Sequence, residues 1–409
     1  MFHLSSLALP IILLAYIGIA IGEYPRLRMN RATIALVSAV ALVVVGALSF
    51  DEALHSLDAD TLILLFGMMV LNVHLRLAGF FNWIGALVIT HAHSPKVLLA
   101  WIIVSAGVLS ALFLNDTLVL MFTPLVLHVT TTLKRNPIPY LVGLATAANI
   151  GSTATITGNP QNMLIGLASN ISFNAFLVAL APVALIGMAI AWCVIVWVYH
   201  AEFTSKKFER AYEMASEVYA PLFRKSLLLT ALMLVAFLWG ASIPLTALVV
   251  AAALLVTRRL KPERIFAQVD WALLVFFSGL FVVTGALSVT GWSTELFRWG
   301  EPLTRAGVAP LALVTVVLSN VVSNVPAVLL FRPIVPQLPD PTRVWLTLAM
   351  ASTLAGNLTL LGSVCNLIVA ESTRTQGVKL TFGEYLKAGV PITVLTVGVG
   401  VVWLSVFYQ

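Results

Sequence analysis

The sequence predicts an all-α polytopic membrane protein made of two inverted repeats, each with five transmembrane spans (one of them broken) and one re-entrant hairpin. Three observations carry that expectation. The 409 residues are 60% hydrophobic and 10% charged, with a mean hydropathy of +1.00, whereas soluble domains carry about 25% charged residues. Two polar stretches recur in register, Gly151-Ser-Thr-Ala-Thr-Ile-Thr-Gly158-Asn-Pro-Gln-Asn162 and Gly356-Asn-Leu-Thr-Leu-Leu-Gly362-Ser-Val-Cys-Asn366. Superposing Gly158 on Gly362 brings Thr155 onto Thr359 and Asn162 onto Asn366. Finally, the connecting loops alternate between basic and non-basic along the chain.

A span needs roughly 20 apolar residues. Spans are expected at about 6–22, 32–50, 60–79, 139–171, 174–199, 226–241, 243–258, 270–289, 343–371 and 385–408. The opening segment lacks a basic leader, so it reads as the first helix and not as a cleaved signal. Spans 139–171 and 343–371 are too long for one helix and contain the glycine stretches, so both read as broken. Segments 97–131 and 309–338 turn around polar tips, Asn115-Asp116-Thr117 and Ser323-Asn324-Val325-Pro326, and read as hairpins. Segments 80–93 and 290–307 carry Trp83, Trp292 and Trp299 among polar residues and suit interfacial helices. The expected organisation is an N-terminal repeat at 1–199, a cytoplasmic linker with a solvated helix at 200–225, and a C-terminal repeat at 226–409.

The repeat extends past the glycine stretches. A shift of 212 places Asp58 on Asp270, Gly67 on Gly279 and Gly79 on Gly291. A shift of 209 places Ser110 on Ser319, Asn115 on Asn324, Leu120 on Leu329 and Pro124 on Pro333. An odd number of crossings per half requires the halves to be inverted. Loop charge agrees: Arg26, Arg28 and Arg31 follow the first span, while the matching turn, 240–244, is uncharged. The acidic loop with Asp51, Glu52, Asp58 and Asp60 matches a basic one with Arg258, Arg259, Lys261 and Arg264. Basic loops belong in the cytoplasm, which puts both termini and the acidic loop outside.

The net charge of +6 is spread over short loops, so it sets orientation and gives no nucleic-acid patch. Two cysteines, Cys193 and Cys365, suggest no disulfide framework. There is no P-loop lysine motif, metal-binding cluster or nucleophile elbow, so neither an enzyme nor a resident metal or cofactor is expected. Energy for transport would come from an ion gradient or a partner ATPase.

Backbone freed from helix at membrane depth is tolerated only where protein buries it or where it lines a cavity. Paired interruptions in two halves point to the substrate site of a secondary transporter. The candidate substrate-binding residues are therefore Asn115, Thr117, Thr155, Gly158, Asn159, Asn162, Ser323, Asn324, Asn357, Thr359, Gly362 and Asn366. Thr153 and Ser363 supply similar groups, whereas Asn149 and Asn320 suit packing equally well. Asp116, at a hairpin tip between apolar arms, is the candidate proton carrier, because ionisable groups at such depth are functional by default. Its repeat mate is Val325, so the hairpin itself does not require an acid. Arg76 reads as a snorkelling side chain, and His74 lies near it. Arg332 either faces the site or reaches the outer interface. Cys365 reads as packing within the second loop, and Cys193 as core filler.

At NDTLVLMFTPLVL, SNVPAVLLFRPIV, GSTATITGNPQN and GNLTLLGSVCN the chain resembles the ion transporter superfamily, over essentially its whole length. It is most similar to the arsenite–antimonite permease and Na+/H+ antiporter branch. The dicarboxylate and citrate branch carries Ser-Asn-Thr at both tips; here the first tip is Asn-Asp-Thr, and Val325-Pro326 replaces the Thr region of the second. The resemblance implies a helical bundle whose transport units move against a scaffold. It also implies proton-coupled export of arsenite or antimonite across a bacterial inner membrane, with both termini periplasmic. A sodium- or proton-coupled carrier of dicarboxylate, citrate or sulfate is the alternative. That alternative expects Arg332, His74 or Arg76 to enter the cavity and sodium to bind beside the glycine loops.

Overall fold

A computed structural model of the chain describes residues 7–24, 27–204, 208, 218–257 and 260–408. The first half runs α1 (Ala8–Ile21), a short antiparallel pairing of Glu23–Tyr24 with Met29–Asn30, α2 (Arg31–Val44), α3 (Phe50–His55), α4 (Ala59–Leu77), α5 (Phe80–His91), α6 (Pro95–Leu112), α7 (Asn115–Thr132), α8 (Pro137–Ser152), α9 (Pro160–Ser169) and α10 (Phe173–Val198). The second runs α11 (Ala220–Leu238), α12 (Ile243–Leu255), α13 (Pro262–Phe266), α14 (Trp271–Val289), α15 (Trp292–Arg305), α16 (Val308–Val322), α17 (Asn324–Phe331), α18 (Pro341–Ala355), α19 (Val364–Arg374) and α20 (Phe382–Phe407). Six of these helices, α4, α6, α10, α11, α14 and α20, are long and apolar enough to cross a membrane. The chain is a multi-pass membrane protein.

Local sequence starts the helices alike in both halves. Asp58 and Asp270 each accept the N–H three residues on, from Thr61 and Leu273, both at 3.0 Å. Such N-caps satisfy donors that a helix start otherwise leaves open. Gly79 and Gly291, mates in the repeat, both take φ 82, a backbone region that favours glycine.

Packing then interlocks the halves. A Cβ on Gly67 of α4 would lie 2.9 Å from the Ala247 backbone of α12, and one on Gly279 of α14 would lie 2.6 Å from that of Ala35 of α2. Ala35 and Ala247 are themselves mates in the repeat, so one close helix crossing is made twice with the halves exchanged. The mates α4 and α14 run in opposite directions. Ser56 and Asp58, before α4, lie with Arg332 against Gly285 and Phe281 late in α14. Arg76, at the end of α4, bonds Gln268 just before α14. The repeats are inverted.

Both hairpins fold back on themselves. Leu98 and Ile102, early in α6, share a cavity with Phe122, Leu125 and Val129 of α7. Val308 and Leu311, early in α16, line another with Leu338 and Asp340, beyond α17. Loops gather at two ends of the bundle. At one end Glu202 accepts from Asn136 N–H (3.4 Å) and the Tyr140 hydroxyl (3.1 Å), and Tyr199 donates to the Glu384 carbonyl (3.2 Å). At the other end Arg332 meets Asp58, and the Arg343 guanidinium reaches the Tyr408 carbonyl at 3.5 Å.

Several details differ from expectation. The loops before α4 and α14 contain one-turn helices, α3 and α13. The segment at 80–93 is more than interfacial, because Phe81, Gly85 and Val88 of α5 are buried against the first hairpin. Cys193 is exposed, not core, since α10 is apolar all round and buries only one side. Of the solvated helix expected at 200–225, Lys206, Lys207 and Arg210 lie outside the described residues, as do Arg26, Arg258, Arg259 and the side chain of Trp299, while Arg224 and Lys225 belong to α11, where Lys225 Nζ donates to the Val256 carbonyl at 2.7 Å.

Candidate functional site

The two broken spans meet at the centre of the molecule, and each is braced by the other half. Asn162 Nδ2 donates to the carbonyls of Ser152 (3.0 Å) and Thr155 (3.1 Å). Its mate Asn366 donates to Gly356 (2.7 Å) and Thr359 (3.0 Å). Each pair of bonds closes a non-helical loop by satisfying carbonyls that the break leaves without a helical partner. Asn159 and Ser363, also mates, cap the helices that follow, accepting from Asn162 N–H (2.8 Å) and Cys365 N–H (3.3 Å). Asn149 of α8 then crosses to the second loop: it donates to Asn357 Oδ1 (2.9 Å) and Asn366 Oδ1 (3.2 Å) and accepts from Ser363 Oγ (3.0 Å). Its mate Thr353 of α18 crosses to the first, accepting from Asn159 and Gln161, both at 3.2 Å, and donating to Asn162 Oδ1 at 3.3 Å.

The hairpin tips rest on these loops. Asn115 N–H donates to the Gly158 carbonyl at 3.2 Å, and the Thr155 hydroxyl donates to the Ala111 carbonyl. In the other half the Thr359 hydroxyl donates to Asn320 Oδ1 at 3.2 Å, and Asn320 is the mate of Ala111. Gly158 is needed there, since a Cβ would fall 2.5 Å from the Ser152 carbonyl and 2.8 Å from that of Ser110. Gly362 is similarly pressed, 2.9 Å from Asn320 Oδ1. Ser323 turns the second tip with φ 78, a strained conformation for a non-glycine residue.

Between tips and loops lies a cavity of about 360 Å³, and it contains both tips. Asn115, Asp116, Ser323, Asn324 and Val325 line it, together with Pro160 and Gln161 from the first loop and Ser363 and Val364 from the second. Its outer wall is Gly22 at the end of α1, Asn30, Arg31 and Ala32 at the start of α2, and Asp270, Ala272, Leu273, Phe276 and Phe277 at the start of α14. Its ionisable groups among the described lining residues are therefore two acids, Asp116 and Asp270, and one guanidinium, Arg31. The Cys365 thiol donates to Asp116 Oδ1 at 3.0 Å from behind the wall. Asn324 Oδ1 is buried without a hydrogen-bond partner.

The expected site residues thus divide. Asn115, Asp116, Ser323 and Asn324 face the cavity. Thr155, Gly158, Asn159, Asn162, Asn357, Thr359, Gly362 and Asn366 build and brace the loops behind it, and Thr117 is half-buried away from it. Arg332 pairs with Asp58 at 2.6 Å, Arg76 bonds Gln268, and His74 Nδ1 bonds the Val70 carbonyl at 2.8 Å, so none of the three enters the cavity. Sequence reasoning missed Gln161, Arg31 and Asp270 as wall residues. For Gln161 the signal was present, since it stands between two proposed loop ligands. Arg31 and Asp270 read as loop charges because helix packing alone brings them to the tips.

The model of the citrate transporter family matches residues 13–351. A silicon efflux transporter of Oryza sativa, LSI3, is 32% identical over 92% of this chain and 93% of its own length. An arsB-named transporter of Dictyostelium discoideum is 24% identical over 92% of this chain and 87% of its own. The solved structure of the Alcanivorax borkumensis YdaH transporter superposes with a TM-score of 0.63, covering 99% of this chain and 98% of that one at 15% identity. The family match over most of the chain, the shared fold and the doubled, mutually braced loops agree: this chain belongs to the citrate transporter family of the ion transporter superfamily and is a secondary transporter.

Proposed function

We propose that the chain exports small, uncharged polyhydroxides, arsenite and antimonite foremost, across a bacterial inner membrane in exchange for protons. One observation carries this reading: the cavity's polar wall is amide, hydroxyl and carboxylate, with two acids against one guanidinium. A di- or tricarboxylate would meet a single guanidinium there, set against two acids, whereas a neutral trihydroxide meets acceptors for its O–H groups. The silicon efflux relative supports the same substrate class, since silicic acid is also a neutral polyhydroxide at physiological pH. Asp116 is the proton carrier, because it is the acid at the hairpin tip, with the substrate-facing amides on either side. Basic loops in the cytoplasm place both termini in the periplasm, and the hairpins re-enter the bilayer from opposite sides. The two repeats, 1–199 and 226–409, form the two halves of the transport machine.

A coupled carrier of small anions is the second reading, favoured by the family's own description and by Arg31 in the cavity wall. Flux into proteoliposomes separates the two. Arsenite, silicic acid, citrate and sulfate are offered under imposed proton and sodium gradients. Arsenite movement driven by the proton gradient is expected; citrate movement with arsenite excluded would replace this reading by the second.

A further inference from the structure

The site and its access differ in symmetry. Both tips and both loops contribute to the cavity wall, but the outer wall comes from the α1–α2 turn with the start of α2 and from the start of α14. Their repeat mates, the starts of α12 and α4, stand at the opposite end of the bundle. The helix α4 is 19 residues long, so its two ends are about 28 Å apart. Leu273, half-buried in the cavity wall, has as its mate Thr61, which is fully buried; Phe276 and Phe277 beside it are buried, as are their mates Leu64 and Leu65. Asp270 is exposed in the open wall, while its mate Asp58 is tied to Arg332 at 2.6 Å. Arg332 also lies over the Phe281 ring, 5.7 Å from its centroid. The mate of Arg332 is Thr123, whose hydroxyl bonds the Val119 carbonyl of its own helix at 2.6 Å. Among the described residues, nothing equivalent to the ion pair crosses the open side. The Thr61 hydroxyl is buried with no hydrogen-bond partner, a costly state for a residue that only packs, but an ordinary one for a side chain that is wetted in another conformation.

We infer that the chain holds a second, closed access path at its Asp58 end, walled by Thr61, Leu64 and Leu65, and that the Asp58–Arg332 ion pair is the latch that keeps it shut while the Arg31 end is open. This rests on the reading that the central cavity is the transport site. Inverted halves make the two paths alternatives: when one half takes the packing of the other, Thr61 replaces Leu273 in the cavity wall.

Accessibility tests it. Thr61→Cys and Leu273→Cys are introduced singly into the full chain, which keeps its native cysteines, and the unmodified protein supplies the background. Vesicles of both orientations are labelled with a membrane-impermeant maleimide. With no further change, the cysteine at 273 should label from the Arg31 face and the cysteine at 61 should stay near background. Asp58→Asn keeps the N-cap oxygen but removes the charge. It should raise labelling at 61 from the Asp58 face about fivefold, the upper range for a pair with one partner part-exposed, and lower it at 273. Arg332→Gln should do the same, and the double variant no more than either alone. Background labelling at 61 in both variants, a gain in only one of them, or full labelling at 61 without them would overturn the latch. Arsenite flux in the same vesicles separates the two claims. A switch in accessibility without arsenite movement keeps the latch and rejects the substrate; normal flux with position 61 silent rejects the latch and keeps the substrate.

Discussion

At the scale of single residues, chemistry and support are divided between neighbours. Asp116 faces the cavity with one thiol donor behind it, whereas Asn149 never reaches the cavity and instead bonds Asn357, Ser363 and Asn366 across the halves. Asp116→Asn preserves shape and loses titration. It should abolish gradient-driven accumulation of substrate in proteoliposomes while exchange down a gradient persists; uphill transport at the wild-type rate would rule Asp116 out as the carrier. Asn149→Ala strands buried partners, each at a cost of about 1–3 kcal/mol. Its signature should be a lowered melting temperature in detergent, with residual transport keeping the wild-type pH dependence. A shifted pH profile with unchanged melting would make Asn149 part of the coupling chemistry.

At the scale of elements, the close crossings α2–α14 and α4–α12 set the frame that the tips and loops work against. Both depend on a glycine at the contact, because only the absence of Cβ lets the backbones approach that closely. Gly279→Leu would drive a side chain into the Ala35 backbone, and overpacking of that kind costs about 1–3 kcal/mol. The expected result is reduced yield and a lowered melting temperature. Gly398→Ala on α20, where a Cβ would meet nothing within 4 Å, should be neutral or slightly stabilising and serves as its control. Equal effects from the two would mean that helix propensity, not the crossing, is being measured.

At the scale of the molecule, the exchange of halves governs the topology. Cysteines placed at Arg28 and Ser242 lie in matching turns at opposite ends of the bundle. Impermeant reagents should label them from opposite faces of the membrane, and labelling of both from one face would contradict the inverted arrangement in the bilayer. The base of the cavity is shared by both tips and both loops, whereas its outer wall comes from one end of the bundle.

The sequence by itself determined the helical membrane class, the broken helices and the repeat, because hydropathy and helix breaking are local properties and the two halves preserve them in register. It also marked the tips Asn115, Asp116, Ser323 and Asn324, since polar groups between apolar arms have few other uses. Only the tertiary structure decided which polar residues face the cavity and which brace it. Asn159, Asn162, Asn357 and Asn366 carry the same groups as Asn115 and Asn324, yet their amides are spent on backbone carbonyls, caps and each other. Asn115 is bonded too, its Nδ2 donating to Asn149 Oδ1 at 3.5 Å and its Oδ1 accepting from Asp116 N–H at 3.0 Å, so the two sets differ in position against the cavity, which a sequence does not display. Likewise Arg31, Asp270 and the Asp58–Arg332 pair took on roles only when helices distant in the chain packed together, since long-range electrostatic partners are set by packing and not by local pattern.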